Sequence, residues 1–333
     1  MSGSSSLPET FYCTKPIDFS KSVDTSNVKG KSVIVTGGAN GIGAACVKAF
    51  AEAGAYVTIL DINEKLGSAL VEGLKNKGYH VQFTKTDITS WESQLSGFKS
   101  ALTFTPKGDL DIVLTSAGLP GNRVGSTWFD GAISSSSEPE PPTTKVIDVN
   151  LTGSFYSAHL ALYFFKKSTE SGSQQTSTPL SSKQLIFVSS LAGYIPFYHH
   201  LDYAASKYGV RGMFKALRHS TSILGSGAPT LRTNLVAPSF IRTGMTSDYE
   251  AGLMQIGIEL GEVEDVAVGV MRVACDEEIT GRAIAIASRS QGGVAGDRNY
   301  DLGDDWEGSD GGKAALESLL NGSIKGLELV GYN

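Results

Sequence analysis

The chain has 333 residues, 41% hydrophobic and 19% charged, proportions that suit a folded protein and exclude an intrinsically disordered one. Its 28 basic residues against 34 acidic ones give a formal charge of −6 with no basic block, which argues against a nucleic-acid partner, because phosphate binding needs clustered Lys and Arg. The three cysteines, Cys13, Cys46 and Cys275, share no metal-like spacing, and no apolar run approaches the roughly 20 residues of a membrane-spanning helix, so neither a metal, a disulfide framework nor a membrane partner is expected.

The first stretch, Met1 to Gly30, is polar and Ser-rich and lacks the apolar region of a secretory signal; residues 1–28 read as an N-terminal extension, and the compartment expected is the cytoplasm. From Lys31 onward, short β-branched runs alternate with helical patterns. Strands are predicted at 33–35, 56–60, 81–83, 110–114, 185–188, 231–236 and 283–287, and helices at 41–53, 63–77, 90–104, 146–166, 203–224 and 264–274. Strands without polar alternation, separated by helices of this length, imply a parallel sheet covered on both faces, that is, an α/β doubly wound Rossmann fold with seven parallel strands in a single domain over 29–290. Ser-, Pro- and Thr-rich stretches near 119–144 and 168–183 read as loop insertions. Residues 291–333 read as a C-terminal extension carrying a short helical stretch at 313–320.

The chemistry begins directly after the first strand, at Thr36-Gly37-Gly38-Ala39-Asn40-Gly41-Ile42-Gly43. A strand-to-helix turn leaves backbone N–H groups and the positive end of the helix dipole for a pyrophosphate. Gly37 permits the tight turn, Gly41 the approach of phosphate, and Gly43 the packing of helix on sheet, with Asn40 and Ile42 between them. Asp61 closes the second strand, 18 residues after Gly43, where a carboxylate accepts both ribose hydroxyls of NAD and repels a 2′-phosphate. No Lys or Arg at 60–64 or in the glycine turn offsets that repulsion, so NAD is the predicted cofactor. Asp87 and Ile88 follow the third strand and read either as the adenine edge or as a plain turn.

Tyr203-Ala204-Ala205-Ser206-Lys207 begins a helix, which puts Tyr203 and Lys207 a turn apart on one face. A free phenol titrates near ~10, and a neighbouring ammonium lowers that value, so the pair can take a proton from an alcohol or give one to a ketone. Ser190 ends the fifth strand, 13 residues before Tyr203, at the strand ends where ligands sit in such sheets, and its hydroxyl can hydrogen-bond the reacting oxygen. A second Tyr-x-x-x-Lys, Tyr163 and Lys167, lies within the 146–166 pattern with no serine-bearing strand end before it, and reads as structural.

These residues together resemble the short-chain dehydrogenase/reductase family over about residues 30–287. The matching set is Thr-Gly-x-x-x-Gly-x-Gly at 36–43, Ala117-Gly118 after the fourth strand, Asn150, Ser190, Tyr203 and Lys207. The resemblance implies a catalytic tetrad: Tyr203 as acid/base, Lys207 on the nicotinamide ribose, Ser190 orienting substrate, and Asn150 holding a water that links Lys207 to solvent. It implies further cofactor contacts at Ser116, Ala117 and Gly118, and at Pro238, Ile241 and Thr243, the last two at the carboxamide. Two departures from the family pattern are Ser239 in place of Gly and Thr115-Ser116 in place of Asn-Asn.

Residues 239–262 fall where the family carries a substrate lid, and Met245, Leu253, Met254 and Ile256 make it partly apolar. Phe197, Tyr198, His199 and His200 line the opposite wall, so a moderately large apolar alcohol or ketone is the expected substrate. The insertions and Ser-rich ends are similar to fungal members that oxidise secondary metabolites. The resulting expectation is an NAD-dependent oxidoreductase of secondary alcohols, assembled as a homodimer or tetramer. A non-redox dehydratase, epimerase or cyclase on the same fold and a non-enzymatic NAD sensor are the alternatives.

Overall fold

The computed structural model describes residues 14–121, 141–171, 182–195, 200–226, 228–248, 250–255 and 257–303. The centres of the two insertions, Cys13, Phe197, Tyr198, His199, Ile256 and the stretch at 313–320 therefore lie outside the described residues.

Eight strands form one sheet: β1 (Ser32–Thr36), β2 (Tyr56–Asp61), β3 (Val81–Lys85), β4 (Ile112–Thr115), β5 (Lys183–Val188), β6 (Leu231–Pro238), β7 (Ala283–Ile286) and β8 (Asn299–Asp301). Their order is β3-β2-β1-β4-β5-β6-β7-β8, parallel up to β7. The helices between them are α1 (Gly41–Glu52), α2 (Glu64–Lys75), α3 (Trp91–Phe104), α4 (Lys145–Ile147), α5 (Ser154–Ser171), α6 (Leu201–Leu217), α7 (Glu250–Gln255) and α8 (Val263–Cys275).

Alternate side chains of a strand face opposite sides, and both sides here are apolar, as a doubly covered sheet requires. Val33, Val35 and Ile59 enter one core with Phe50 of α1 and Val266 and Val270 of α8. Ile34, Leu60, Leu185 and Phe187 enter the other with Phe98 of α3, Phe164 and Phe165 of α5, and Phe214 of α6. The chain passes from β3 back to β4 across β1, so the β1/β4 boundary is the switch point at which such sheets open a crevice.

Three expectations need correction. The sheet has eight strands rather than seven, and β8 runs antiparallel to β7, so residues 299–301 belong to the sheet although the sequence pattern assigns them to an extension. The pattern misses β8 because this edge strand is held by polar groups. Asp301 pairs with Arg282 at 2.7 Å, and Asn299 Nδ2 donates to the Asp265 carbonyl at 3.0 Å.

Second, the helix predicted over 146–166 is interrupted by a π-helical segment, Asp148–Gly153, between α4 and α5. The segment is only six residues long and stays helical, so a periodicity read over the whole 146–166 stretch does not single it out. Third, the helix predicted to reach Leu224 stops at Leu217, where His219-Ser220-Thr221-Ser222-Ile223 offers weak helix formers and folds into turns.

Residues 14–28, assigned to an extension by the sequence pattern, pack on the body. Ile17 N–H donates to Asp301 Oδ2 at 2.8 Å, Lys15 pairs with Glu278, and Arg272 stacks over Phe19 with 5.2 Å to its ring centroid.

Candidate active site

The glycine turn between β1 and α1 is as tight as its sequence predicts. Gly37 and Gly41 have positive φ, +65° and +52°. A Cβ on Gly37 would lie 2.5 Å from Ala117 Cα, and one on Gly43 only 2.1 Å from the Gly37 carbonyl oxygen, so neither position tolerates a side chain. Asn40 caps α1, its side chain accepting from Gly41 N–H at 2.8 Å. Among the described residues the amides of Ile42 and Gly43 have no acceptor. Unclaimed first-turn amides are the donor set that a pyrophosphate takes, so the turn fits a dinucleotide.

Asp61 stands beside that turn, half-buried. Its Oδ2 accepts from Ala39 N–H at 3.0 Å and its Oδ1 from Asn63 N–H at 2.8 Å, which fixes the carboxylate and leaves each oxygen further acceptor capacity. Asp87 is exposed and accepts from Thr89 through both N–H and hydroxyl, while the neighbouring Ile88 is buried. Ser116 Oγ donates to the Thr36 carbonyl, tying the loop after β4 to the glycine turn. From the other side Thr243 reaches the turn: a Cβ on Gly41 would sit 3.3 Å from Thr243 Cγ2. Pro238 ends β6, and Ile241 is buried where it bridges to Gly261. Ser239 replaces the expected Gly and donates its N–H to the Ile286 carbonyl.

The proton-transfer candidates gather at the carboxyl ends of β4, β5 and β6. Lys207 Nζ lies 5.5 Å from the centre of the Tyr203 ring. Lys207 is only 6% exposed, and burial pushes its pKa down from 10.5 to about 8. Nζ donates to the Val188 carbonyl at 3.3 Å, and no carboxylate pairs with it among the described residues. A value near 8 still leaves the ammonium as the dominant form at neutral pH. A buried cation beside a phenol favours the phenolate, so the pair can exchange a proton with a ligand oxygen. Ser190 Oγ accepts from Ala192 N–H at 3.1 Å and donates to the Pro238 carbonyl at 3.3 Å, a long bond that an incoming oxygen can replace.

Asn150 occupies the π-helical segment and is buried. Its Oδ1 accepts from Leu119 N–H at 2.7 Å, and its Nδ2 donates to the Leu119 carbonyl at 3.1 Å and to Ser206 Oγ at 3.2 Å. One side chain thus clamps the loop after β4 to the helices, with Gly118 lodged between it and Lys207: a Cβ there would be 3.4 Å from Asn150 Oδ1 and 3.8 Å from Lys207 Nζ. The Asn150 carbonyl accepts from Ser154 Oγ at 2.8 Å and retains a second lone pair, which could serve the water expected at this residue.

Sequence reasoning missed two neighbours. Ser206, fully buried, donates to the Tyr203 carbonyl at 2.7 Å while receiving the Asn150 amide; its only signal was its place inside Tyr-x-x-Ser-Lys. At Gly121 an added Cβ would stand 2.5 Å from Tyr203 Cβ and 3.1 Å from both Asp202 Oδ1 and His200 Nδ1, so the loop after β4 lies directly on the start of α6. In the expected lid, Met245 and Met254 are exposed, and Arg242 joins its two ends by pairing with Glu250 and, at 3.0 Å, with Glu262. The second pair, Tyr163 and Lys167, lies on the outer face of α5, away from all of these groups.

A family model described as short chain dehydrogenase matches residues 31–253. The chain is 41% identical over 295 residues to the 5′-hydroxyaverantin dehydrogenase of Dothistroma septosporum, covering 86% of this chain and 90% of that protein. It is 36% identical over 317 residues to the NADP-dependent dehydrogenase M3 of a Phoma species, covering 93% and 90%. Among solved structures, the crystal structure of gox2181 superposes with a TM-score of 0.64 at 27% identity, covering 79% of this chain and 95% of that one.

Proposed function

The chain belongs to the short-chain dehydrogenase family, and from that premise we propose that it is an NAD-dependent oxidoreductase interconverting a secondary alcohol and a ketone on a moderately large apolar metabolite. The observation that carries the reading is the buried Lys207 ammonium, 5.5 Å from the Tyr203 ring and without a carboxylate of its own.

When bound, the nicotinamide supplies the hydride acceptor for the alcohol carbon. The chain's own residues do the rest. Tyr203 Oη takes the hydroxyl proton of the alcohol, or returns one to a ketone. Lys207 keeps the phenol ready for that exchange and would hold the ribose. Ser190 Oγ hydrogen-bonds the reacting oxygen. Asn150 positions the loop over Lys207 and would hold a solvent-linked water at its carbonyl. The dinucleotide would rest on the amides of Gly37 to Gly43, on Asp61, Asp87 and Ile88, on Ser116 to Gly118, and on Pro238, Ile241 and Thr243.

NAD rather than NADP is supported by the fixed Asp61 carboxylate and by the lack of a basic residue in the glycine turn or at 60–64, although the Phoma relative bears an NADP-dependent name. The substrate class is supported by the partly apolar 239–262 segment and by the 5′-hydroxyaverantin named for the Dothistroma relative, which puts the enzyme in fungal secondary metabolism. Buried, unpaired Cys46 and Cys275 suit a reducing cytoplasm. Exposed Phe155, Tyr163 and Tyr208 on α5 and α6 suit a homo-oligomer.

The test is direct. Protein incubated with 5′-hydroxyaverantin and a panel of secondary alcohols should form NADH from NAD⁺ with a kcat/KM well above that with NADP⁺. Product formed without a net change in nicotinamide, or tight NAD binding without turnover, would sink the proposal. A preference for NADP⁺ would sink only the role given to Asp61.

A further inference from the structure

Gln94 is fully buried one turn into α3, a position where its amphipathic pattern calls for an apolar residue. Its Nε2 donates to the Ile88 carbonyl at 2.5 Å and to the Gly153 carbonyl at 2.9 Å, and its Oε1 accepts from Ser157 Oγ at 2.7 Å. Only one orientation of the amide satisfies all three partners: nitrogen toward the two carbonyls, oxygen toward the hydroxyl. Ser157, itself buried, holds that orientation with its single proton, which lies nearer Gln94 Oε1 at 2.7 Å than the Gly153 carbonyl at 3.0 Å.

The two carbonyls belong to different parts of the site. Ile88 lies in the loop after β3, read above as the adenine edge. Gly153 ends the π-helical segment that carries Asn150. The two segments also meet by shape: a Cβ on Gly153 would stand 2.7 Å from Ile88 Cδ1, so any side chain there would push the loop outward. The loop has one further tie to α3, from Asp87 N–H to Ser93 Oγ at 3.0 Å.

We infer that Gln94 is a positioning residue for the cofactor: its buried amide fixes the adenine edge of the site, with the π-helical turn as its anchor. The inference rests on the dinucleotide reading of the crevice. Gln94 itself touches no part of the cofactor surface; it acts through the Ile88 carbonyl. An apolar isostere would leave two buried carbonyls without a donor, and the loop would relax toward water to recover one.

The experiment compares the affinity of the full chain for NADH and for reduced nicotinamide mononucleotide, which lacks the adenylate half. In Gln94→Met the Kd for NADH should rise about tenfold, the factor that goes with losing one hydrogen bond's worth of positioning, while that for the mononucleotide stays within about twofold. Ser157→Ala, which keeps Gln94 but frees its amide to turn over, should show the same selectivity at about threefold, and it carries the test should Gln94→Met fail to fold. Wild-type affinity for NADH in the variants overturns the inference. So does equal weakening of both nucleotides, which marks a general loosening. If the wild-type chain binds no NADH, the dinucleotide reading falls and this inference with it, a result distinguishable because it precedes any variant.

Discussion

Two tyrosine–lysine pairs with identical spacing lie in this molecule, and their local geometry is nearly the same. Lys167 Nζ stands 5.9 Å from the Tyr163 ring centre, and Lys207 Nζ 5.5 Å from that of Tyr203. Their surroundings differ. Tyr163 is 54% exposed on the outer face of α5, whereas Lys207 is 6% exposed beneath the crevice, where burial alone brings its pKa to about 8. Helical spacing sets a distance; only the withdrawal of solvent turns that distance into a perturbed acid–base pair.

The sharpest way to break this comparison is Tyr203→Phe. Loss of the proton-transfer group should lower kcat by about 10⁴-fold with NADH affinity preserved, read by steady-state rates beside a binding titration. A variant that still turns over at a tenth of the wild-type rate would remove Tyr203 from the mechanism.

A third lysine sharpens it. Lys183, at the opposite end of β5 from the crevice, is as buried as Lys207 but has its counterion: Asp111 Oδ1 at 2.8 Å, with Asp109 at 3.7 Å. Asp111 also accepts from Ser32 N–H, and burial, then repulsion by Asp111, pushes the Asp109 carboxyl up. Asp111→Ala should cost about 3–5 kcal/mol in denaturant unfolding, because it strands a buried charge. The kcat of the folded fraction should not change. A loss below 1 kcal/mol would show that Asp109 can replace it.

Lys207→Met should act in the opposite direction on stability. The fold lowers the Lys207 pKa, so between about 8 and 10.5 the unfolded chain binds more protons than the folded one, and wild-type stability rises with pH across that window. Below pH 8 the cost of burying the ammonium is fully present. The Met variant should therefore be more stable at pH 7, by up to about 3 kcal/mol, with the gap closing by pH 10.5, while its kcat collapses. Unfolding curves whose difference does not vary with pH would contradict the burial argument.

The smallest effect belongs to the outer pair. Tyr163→Phe and Lys167→Ala should each leave kcat within about twofold and stability within about 0.5 kcal/mol. A larger loss of rate would mean that spacing alone matters more than burial.

Much of this was legible in the sequence because it depends on backbone requirements or on a fixed spacing. The glycine turn reads directly, since Gly37 and Gly43 have no room for a side chain, and so does the pairing of Tyr203 with Lys207. What could not be read depends on partners distant along the chain. Gln94 falls on the core face of its helix, but nothing near it in the sequence shows that Ile88 and Gly153 supply the partners a buried amide needs. Asn150 is named by the family resemblance, but its grip on Leu119, 31 residues away, depends on contacts that no local pattern shows. Strand β8 has no apolar alternation to signal it, because Asn299, Tyr300 and Asp301 pair through backbone and polar side chains at an edge.

That last strand and the segment from Thr14 also grip each other, directly through the Ile17 amide on Asp301 and indirectly through Arg282, which pairs with Asp301 and donates to the Thr14 carbonyl. Positions 17 and 301 are therefore in direct contact, although 284 residues separate them along the chain. Fluorophores placed at the two positions would report strand β8 peeling away by loss of energy transfer, before the rest of the body melts.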